Sequence, residues 1–193
     1  FYRASNGRPI GYFWGYKTAG VFQNQQDIND WIASGNGVLQ SDVQPGDVKY
    51  YDIDHNGVIN DADKVNLGNG MPDFTYGFTL GFDYKGFDFN VTANGMVGND
   101  IVQAYRNVGT KTANYTTEVL SRWTGEGTSN KYPRVTENNI NWQFSDLFIH
   151  DGSFLRVSNI TLGYDFVKIL NTQLFSQARL YFQIQNALTF TKY

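Results

Sequence analysis

From Phe74 to Val97 the chain alternates apolar and polar residues through two runs separated only by Lys85-Gly86. Phe74, Tyr76, Phe78, Leu80, Phe82 and Tyr84 fall on one side of the first run, and Thr75, Gly77, Thr79, Gly81 and Asp83 on the other. The second run sets Phe87, Phe89, Val91 and Ala93 against Asp88, Asn90, Thr92 and Asn94. Successive side chains of a β-strand point to opposite faces, so the pattern reads as a hairpin with one apolar and one wet face. A helical period would scatter these aromatics around a cylinder. Each run has the length, about 10 residues, of a tilted strand crossing a bilayer. A soluble β-sandwich with one face in its core alternates in the same way. It accounts less well for Phe and Tyr at nearly every second position of two adjacent strands. The fold class expected is all-β, part of a large antiparallel transmembrane β-barrel.

Composition agrees with strands. The 193 residues include 15 Phe and 13 Tyr but only 4 Pro, and aromatic side chains suit a pleated surface. A net charge of −3 offers no electrostatic footprint for nucleic acid. Without cysteine there is no disulfide framework, thiolate metal site or cysteine nucleophile. No run approaches the ~18–20 apolar residues of a membrane helix. The mean hydropathy of −0.42 does not separate a soluble β protein from a barrel, whose strands dilute apolar residues with lumen-facing polar ones. The chain opens at Phe1-Tyr2-Arg3 and stops at Thr191-Lys192-Tyr193 within a strand pattern, so both ends read as interior to a longer polypeptide.

Read along its length, the sequence predicts strands over 11–18, 74–84, 87–97, 154–166 and 179–192. Long connections fill 19–73 and 98–152, and short ones 85–86 and 167–177. Asn24 and Gly35 bracket a short helix with Ile28, Trp31 and Ile32 on one face, and a second helical stretch is expected near Tyr115 to Trp123. Long and short connections alternate, as in bacterial barrels with long extracellular loops and short periplasmic turns. Loops beyond ~12–15 residues are uncommon in compact soluble domains. The two long connections are therefore expected to be extracellular loops.

The sharpest local motif runs from Asp52 to Asp63. Asp52, Asp54 and Asn56 stand at positions 1, 3 and 5 of a calcium-type loop, and Gly57 sits at the sharp turn. Val58 would offer its carbonyl, Asn60 would bind directly or through water, and Asp63 closes the loop. Calcium needs six to eight hard oxygens, and this spacing wraps them round one ion. Asp63 stands where an EF-hand carries Glu. A structural calcium is the cofactor expected, and a metal-free Asx-rich turn is the alternative.

Catalytic constellations are missing, so the chain does not read as an enzyme. His150-Asp151 is half of an acid–base pair without a nucleophile elbow, and reads as a surface histidine at a strand entry. Trp123, Trp142 and the loop tyrosines have the chemistry to stack on a sugar or peptide, or simply pack within the loops. Trp14 and Tyr16 would suit an interfacial girdle.

Several stretches together resemble the SusC/RagA family of TonB-dependent outer-membrane transporters. They include Pro9-Ile10-Gly11-Tyr12-Phe13-Trp14-Gly15-Tyr16-Lys17-Thr18-Ala19-Gly20, Pro45-Gly46-Asp47-Val48-Lys49-Tyr50 and Leu67-Gly68-Asn69-Gly70-Met71-Pro72-Asp73-Phe74. Gly98-Asn99-Asp100-Ile101, Asp151-Gly152-Ser153-Phe154-Leu155-Arg156 and Gln185-Asn186-Ala187-Leu188-Thr189-Phe190 follow in family order. The resemblance implies a barrel of roughly 22 strands, of which this chain is a late C-terminal piece. It places the plug domain and TonB box upstream, outside these residues. It implies outer-membrane import of glycans or peptides with a SusD-like surface lipoprotein, energised through the TonB complex. The rival reading is a soluble secreted calcium-stabilised β module that binds carbohydrate.

Overall fold

The computed structural model describes residues 2–103, 114–136, 139–167, 176 and 178–193. Their regular structure is mostly antiparallel β-strand with one short α-helix. The chain divides into two compact units, Phe1–Asn69 with Ile101–His150, and Gly70–Asp100 with Asp151–Tyr193.

The first unit begins with β1 (Tyr2–Arg3), β2 (Tyr12–Gly15), β3 (Thr18–Val21), α1 (Gln25–Ala33), β4 (Val48–Tyr50) and β5 (Val65–Gly68). The single strand expected over 11–18 is two strands. β2 pairs with β1 and β5, whereas β3 pairs with β4. Between them Tyr16 leaves both ladders, donates its N–H to Phe144 O at 2.9 Å and bridges to Ser145. Tyr16 is therefore a core residue, only 5% exposed, not part of a girdle. It packs with Val48, Tyr50 and Ile59, and Leu39 and Leu147 close over them. Burial pushes the Tyr50 hydroxyl pKa upward.

The helix forms where its caps require it. The Asn24 side chain accepts the Asp27 N–H at 2.9 Å, and Asp27 adds an acidic group to the first turn. Ile28 is the buried residue of this helix. The second helical stretch is a 3-10 helix over Thr117–Ser121.

This unit also buries polar groups, and an Asp47-centred network matches several of them. The Asp47 carboxylate accepts from Arg134 Nε at 2.7 Å, Asn141 Nδ2 at 2.9 Å and the Gln44 N–H at 3.0 Å. Asn141 in turn accepts the Val48 N–H at 2.9 Å. Asp146 accepts both the N–H and the hydroxyl of Thr18. The connections expected over 19–73 and 98–152 thus contain their own core and strands.

In the second unit, β6 (Phe74–Tyr84) and β7 (Phe87–Val97) form the hairpin. Lys85 and Gly86, both at positive φ, make the two-residue turn that matches strand twist. A short ribbon pairs β8 (Asp100–Val102) with β9 (Ile149–Asp151), most of whose residues belong to the first unit. Beyond it, β10 (Phe154–Asp165) and β11 (Arg179–Thr191) complete a four-stranded sheet in the order β11-β10-β7-β6. Most of the link expected over 167–177 lies outside the described residues.

Cross-strand register segregates the two faces. One set of rows reads Phe82–Phe89–Leu162–Phe182, Leu80–Val91–Ile160–Ile184 and Phe78–Ala93–Val157–Leu188. The other reads Gly81–Asn90–Thr161–Gln183 and Thr79–Thr92–Asn159–Gln185. The segregation depends on a bulge. Along β10 the apolar face is filled by Leu155 and Val157, then Ile160, Leu162 and Tyr164, a slip from odd to even positions, while Phe154 lies on the other face opposite Met96. Ser158 is the extra residue between Val157 and Asn159 that absorbs the slip, and its hydroxyl donates to Thr92 O at 3.1 Å. Opposite it on β11, Asn186 adopts φ 51°, a left-handed conformation that Asn tolerates better than most residues.

Candidate metal centre

Hydrogen bonds to Asp52 and Asp63 shape the Asp52–Asp63 loop. Asp52 Oδ2 accepts the Gly57 N–H at 2.7 Å and the Gly37 N–H at 3.1 Å. Asp63 closes the other end, accepting the Ile53 N–H at 2.8 Å and the Asn60 N–H at 2.7 Å. His55 and Gly57 both take positive φ, which folds the loop back on itself. The result gathers carboxylate oxygens of Asp52, Asp54 and Asp63 within 4.8 Å of one another. Asp52 is 2% exposed and Asp63 fully buried, while Asp54 faces solvent.

The electrostatics favour a cation there. Among the described residues none of these three carboxylates forms an ion pair with Lys or Arg. Like charges brought together with two of the three buried repel unless a counter-ion joins them. Burial acts to raise the Asp52 pKa, but the N–H groups of Gly57, Asn56 and Gly37 outweigh it and hold the carboxyl below its ordinary range. The charged form that a hard cation requires is therefore the form present at neutral pH.

The other expected ligands take part in hydrogen bonds within the loop. Asn56 Oδ1 accepts the Val58 N–H at 2.9 Å, and its Nδ2 donates to Asp54 at 2.8 Å. Asn60 Oδ1 accepts the Ala62 N–H at 2.8 Å, and its Nδ2 donates to the Val58 carbonyl at 3.2 Å. Asn56, Val58 and Asn60 thus brace the loop around the three converging aspartates. The donor set fits a calcium-type ion through carboxylates first, with water or turned amides supplying the rest.

The loop is tied to the core behind it. Ile59 is buried with Tyr16, Val48 and Tyr50, and Val38 bridges to Val58. Asp61 pairs with Lys64 at 2.7 Å, and that ammonium lies 5.2 Å from the Tyr16 ring centroid. The hydrogen bond to Lys64 is the largest influence holding the Asp61 carboxyl below its ordinary value.

The remaining candidates separate. His150 contacts Gln103, whereas Asp151 accepts the Ser153 N–H at 2.9 Å and pairs with Lys192 at 3.1 Å, so the adjacent His and Asp serve different partners. Trp123 has its indole N–H buried without a hydrogen bond. Trp142 stands between Tyr115 and Phe148, with ring centroids 6.2 and 6.0 Å away, and faces a cavity. Neither Arg122 nor Phe148 stands out in the sequence, because the residues lining that cavity come from separate short stretches between 103 and 148.

No protein-family model matches the chain. It is 34% identical over 191 residues to TonB-dependent receptor P3 of Formosa agariphila, covering 97% of this chain and 18% of that protein. It is 30% identical over 161 residues to TonB-dependent receptor SusC of Bacteroides thetaiotaomicron, covering 81% of this chain and 16% of SusC. Among solved structures, the RagAB peptide importer in its open-open state aligns over the whole chain and 21% of its own, with TM-score 0.67 and 21% identity. The chain therefore spans about a fifth of the length of the relatives it matches. The likeness to RagAB shows a shared fold.

Proposed function

The chain belongs to the SusC/RagA family of TonB-dependent receptors, transporters rather than enzymes and typically of the outer membrane, and from that membership we propose that its sheet is a stretch of barrel wall. The wall belongs to a barrel of roughly 22 strands that imports glycans or peptides through the outer membrane. A SusD-like lipoprotein covers its outer face, and TonB supplies the energy. The segments 19–73 and 98–152 are extracellular loops that face the lid or the substrate. Residues 1–193 are a C-terminal portion of that barrel.

One observation carries this reading: four adjacent strands of 11 to 13 residues hold a largely exposed, apolar face against a mostly polar one. Leu80 is 64% exposed and Phe182 67%. Soluble monomers rarely expose contiguous apolar patches beyond several hundred Å², whereas a barrel needs such a face against lipid and a wet face toward its lumen. Closure also satisfies every backbone group in the bilayer. The soluble calcium-stabilised module has no use for that face.

The test is a gel of the natural polypeptide from an outer-membrane fraction, run with and without boiling. A band several-fold heavier than 21.9 kDa that shifts on boiling supports the barrel. A soluble band near that mass, indifferent to boiling, defeats it.

The same reading gives the metal loop its role. Calcium held by Asp52, Asp54 and Asp63, with Asn56, Val58 and Asn60 around it, stiffens an extracellular loop. Chelation should speed proteolysis within residues 52–63, and Asp54→Asn should abolish that calcium dependence. Equal cleavage rates with and without chelator would remove calcium from the account.

A further inference from the structure

In the first unit, a cavity of about 100 Å³ opens beside the 3-10 helix Thr117–Ser121. Tyr115, Trp142 and Phe148 form one continuous aromatic wall, and Val135, itself 44% exposed, lines the cavity as well. Cavities on the order of 150 Å³ accept a benzene-sized molecule, so this one takes a single apolar side chain.

Two charged residues also line it, Glu118 and Arg122. They differ in how fully they are used. Glu118 accepts hydrogen bonds from Gln103 Nε2 at 2.9 Å, Thr116 Oγ1 at 3.2 Å and the Tyr132 hydroxyl at 3.2 Å. Arg122 spends one Nη1 donor on the Val119 carbonyl at 3.1 Å and, among the described residues, enters no ion pair. A guanidinium carries five N–H donors in a fork that matches a carboxylate. A half-buried arginine with spare donors beside an apolar cavity is therefore complementary to a carboxylate attached to an apolar group.

We propose that this cavity binds a hydrophobic amino-acid residue bearing a free carboxylate, as at the carboxyl end of a short peptide. The side chain lies against the wall of Tyr115, Trp142 and Phe148, and the carboxylate meets Arg122. Among the described residues the exposed lining is mostly apolar, whereas a carbohydrate must match several hydroxyls at once. The source of the ligand rests on the importer reading; its chemistry rests on the cavity.

The experiment measures binding of N-acetyl-phenylalanine and of N-acetyl-phenylalanine amide to the detergent-purified natural polypeptide, beside nutrient uptake by whole cells. The acid should saturate one site and bind at least tenfold more tightly than the amide. Arg122→Gln should erase that preference, Arg122→Lys should restore part of it, and the cavity-filling Val135→Trp should abolish both. Val135 is exposed, so its replacement leaves the fold intact; near-ultraviolet circular dichroism of each variant checks this. Equal affinity for acid and amide, or no saturable binding, overturns the proposal. Uptake without binding overturns it and leaves the importer standing, whereas binding without uptake does the reverse.

Discussion

In the four-stranded sheet apolar residues are exposed. Leu80, Phe82 and Phe182 are exposed on one face, and Thr79, Thr92 and Asn159 lie on the other. In the unit of β1 to β5 and residues 101–150 the arrangement is reversed. Tyr16 and Tyr50 turn inward with Val48 and Ile59, and even the carboxylate of Asp47 is buried. On the proposed reading the two regions share a residue vocabulary but meet different solvents. A sheet built for lipid needs no second layer, because the bilayer supplies it. A unit built for water must assemble its own core and match most of the polar groups it buries.

The comparison breaks most readily at Asp47. Asp47→Ala removes the buried partner of Arg134 and leaves Asn141 and the Gln44 N–H without their acceptor. Breaking a buried pair from one side costs about 3–5 kcal/mol. Hydrogen exchange should show residues 44–50 and 130–136 opening while the sheet keeps its protection. Loss of protection in both regions together would mean that they fold as one.

The sheet offers the complementary break. Phe78→Arg should cost about 2–4 kcal/mol if its face meets lipid near the midplane, and Thr79→Arg much less. The heat-modifiable fraction recovered from outer membranes reads the difference. Equal yields would cancel the assignment of inside and outside.

A smaller effect sharpens the wet face. Asp88 on β7 and Arg179 on β11 join across β10, with Arg179 Nε 2.8 Å from Asp88 Oδ1. They can do so because Gly163 lies beneath them; a Cβ there would overlap the Asp88 carboxylate and come 2.7 Å from Arg179 Nη2. Gly163→Ala should displace these flexible ends and lower the urea midpoint slightly, less than Phe78→Arg. In the Arg179→Gln background the same change should cost less still. Additive losses would deny the link.

The smallest effect is one of pH. Asp151 is held down to about 2, first by hydrogen bonds from Ser153 and then by Lys192. A carboxylate whose folded pKa is depressed stabilises the fold above its unfolded value, about 3.9. That contribution fades as pH falls through about 2. The stability difference between the parent protein and Asp151→Asn should therefore be constant above pH 5 and shrink below pH 4. A difference independent of pH down to 2 would show that Asp151 titrates normally.

Much of this was legible in the residues. The hairpin of Phe74 to Val97 follows from period-2 alternation around Lys85-Gly86, and α1 from Asn24 and its capped first turn. The bend of the Asp52–Asp63 loop follows from Gly57 and the spacing of its aspartates. The bulge at Ser158 left a trace, the slip of apolar positions between Val157 and Ile160, that alternation alone does not interpret. Tyr16 misled, because an aromatic run suits a girdle and a core equally well.

Each legible feature is set by neighbours within about a dozen residues, where backbone sterics and side-chain caps act directly. The sequence by itself thus determined strands, turns, the helix and the metal-type loop. Tertiary structure alone decided which partner each strand takes, why β2 and β3 separate, and which face of each element is covered. It also decided that Asp47 meets Arg134 and Asn141, that Thr18 meets Asp146, and that Arg122 comes to stand beside the wall of Tyr115, Trp142 and Phe148. The contacts of Asp47 and Thr18 join residues 87 to 128 positions apart. At such separations the chain's own local preferences exert no pull. Only the packing of the whole unit, repaid by burial and matched hydrogen bonds, selects them.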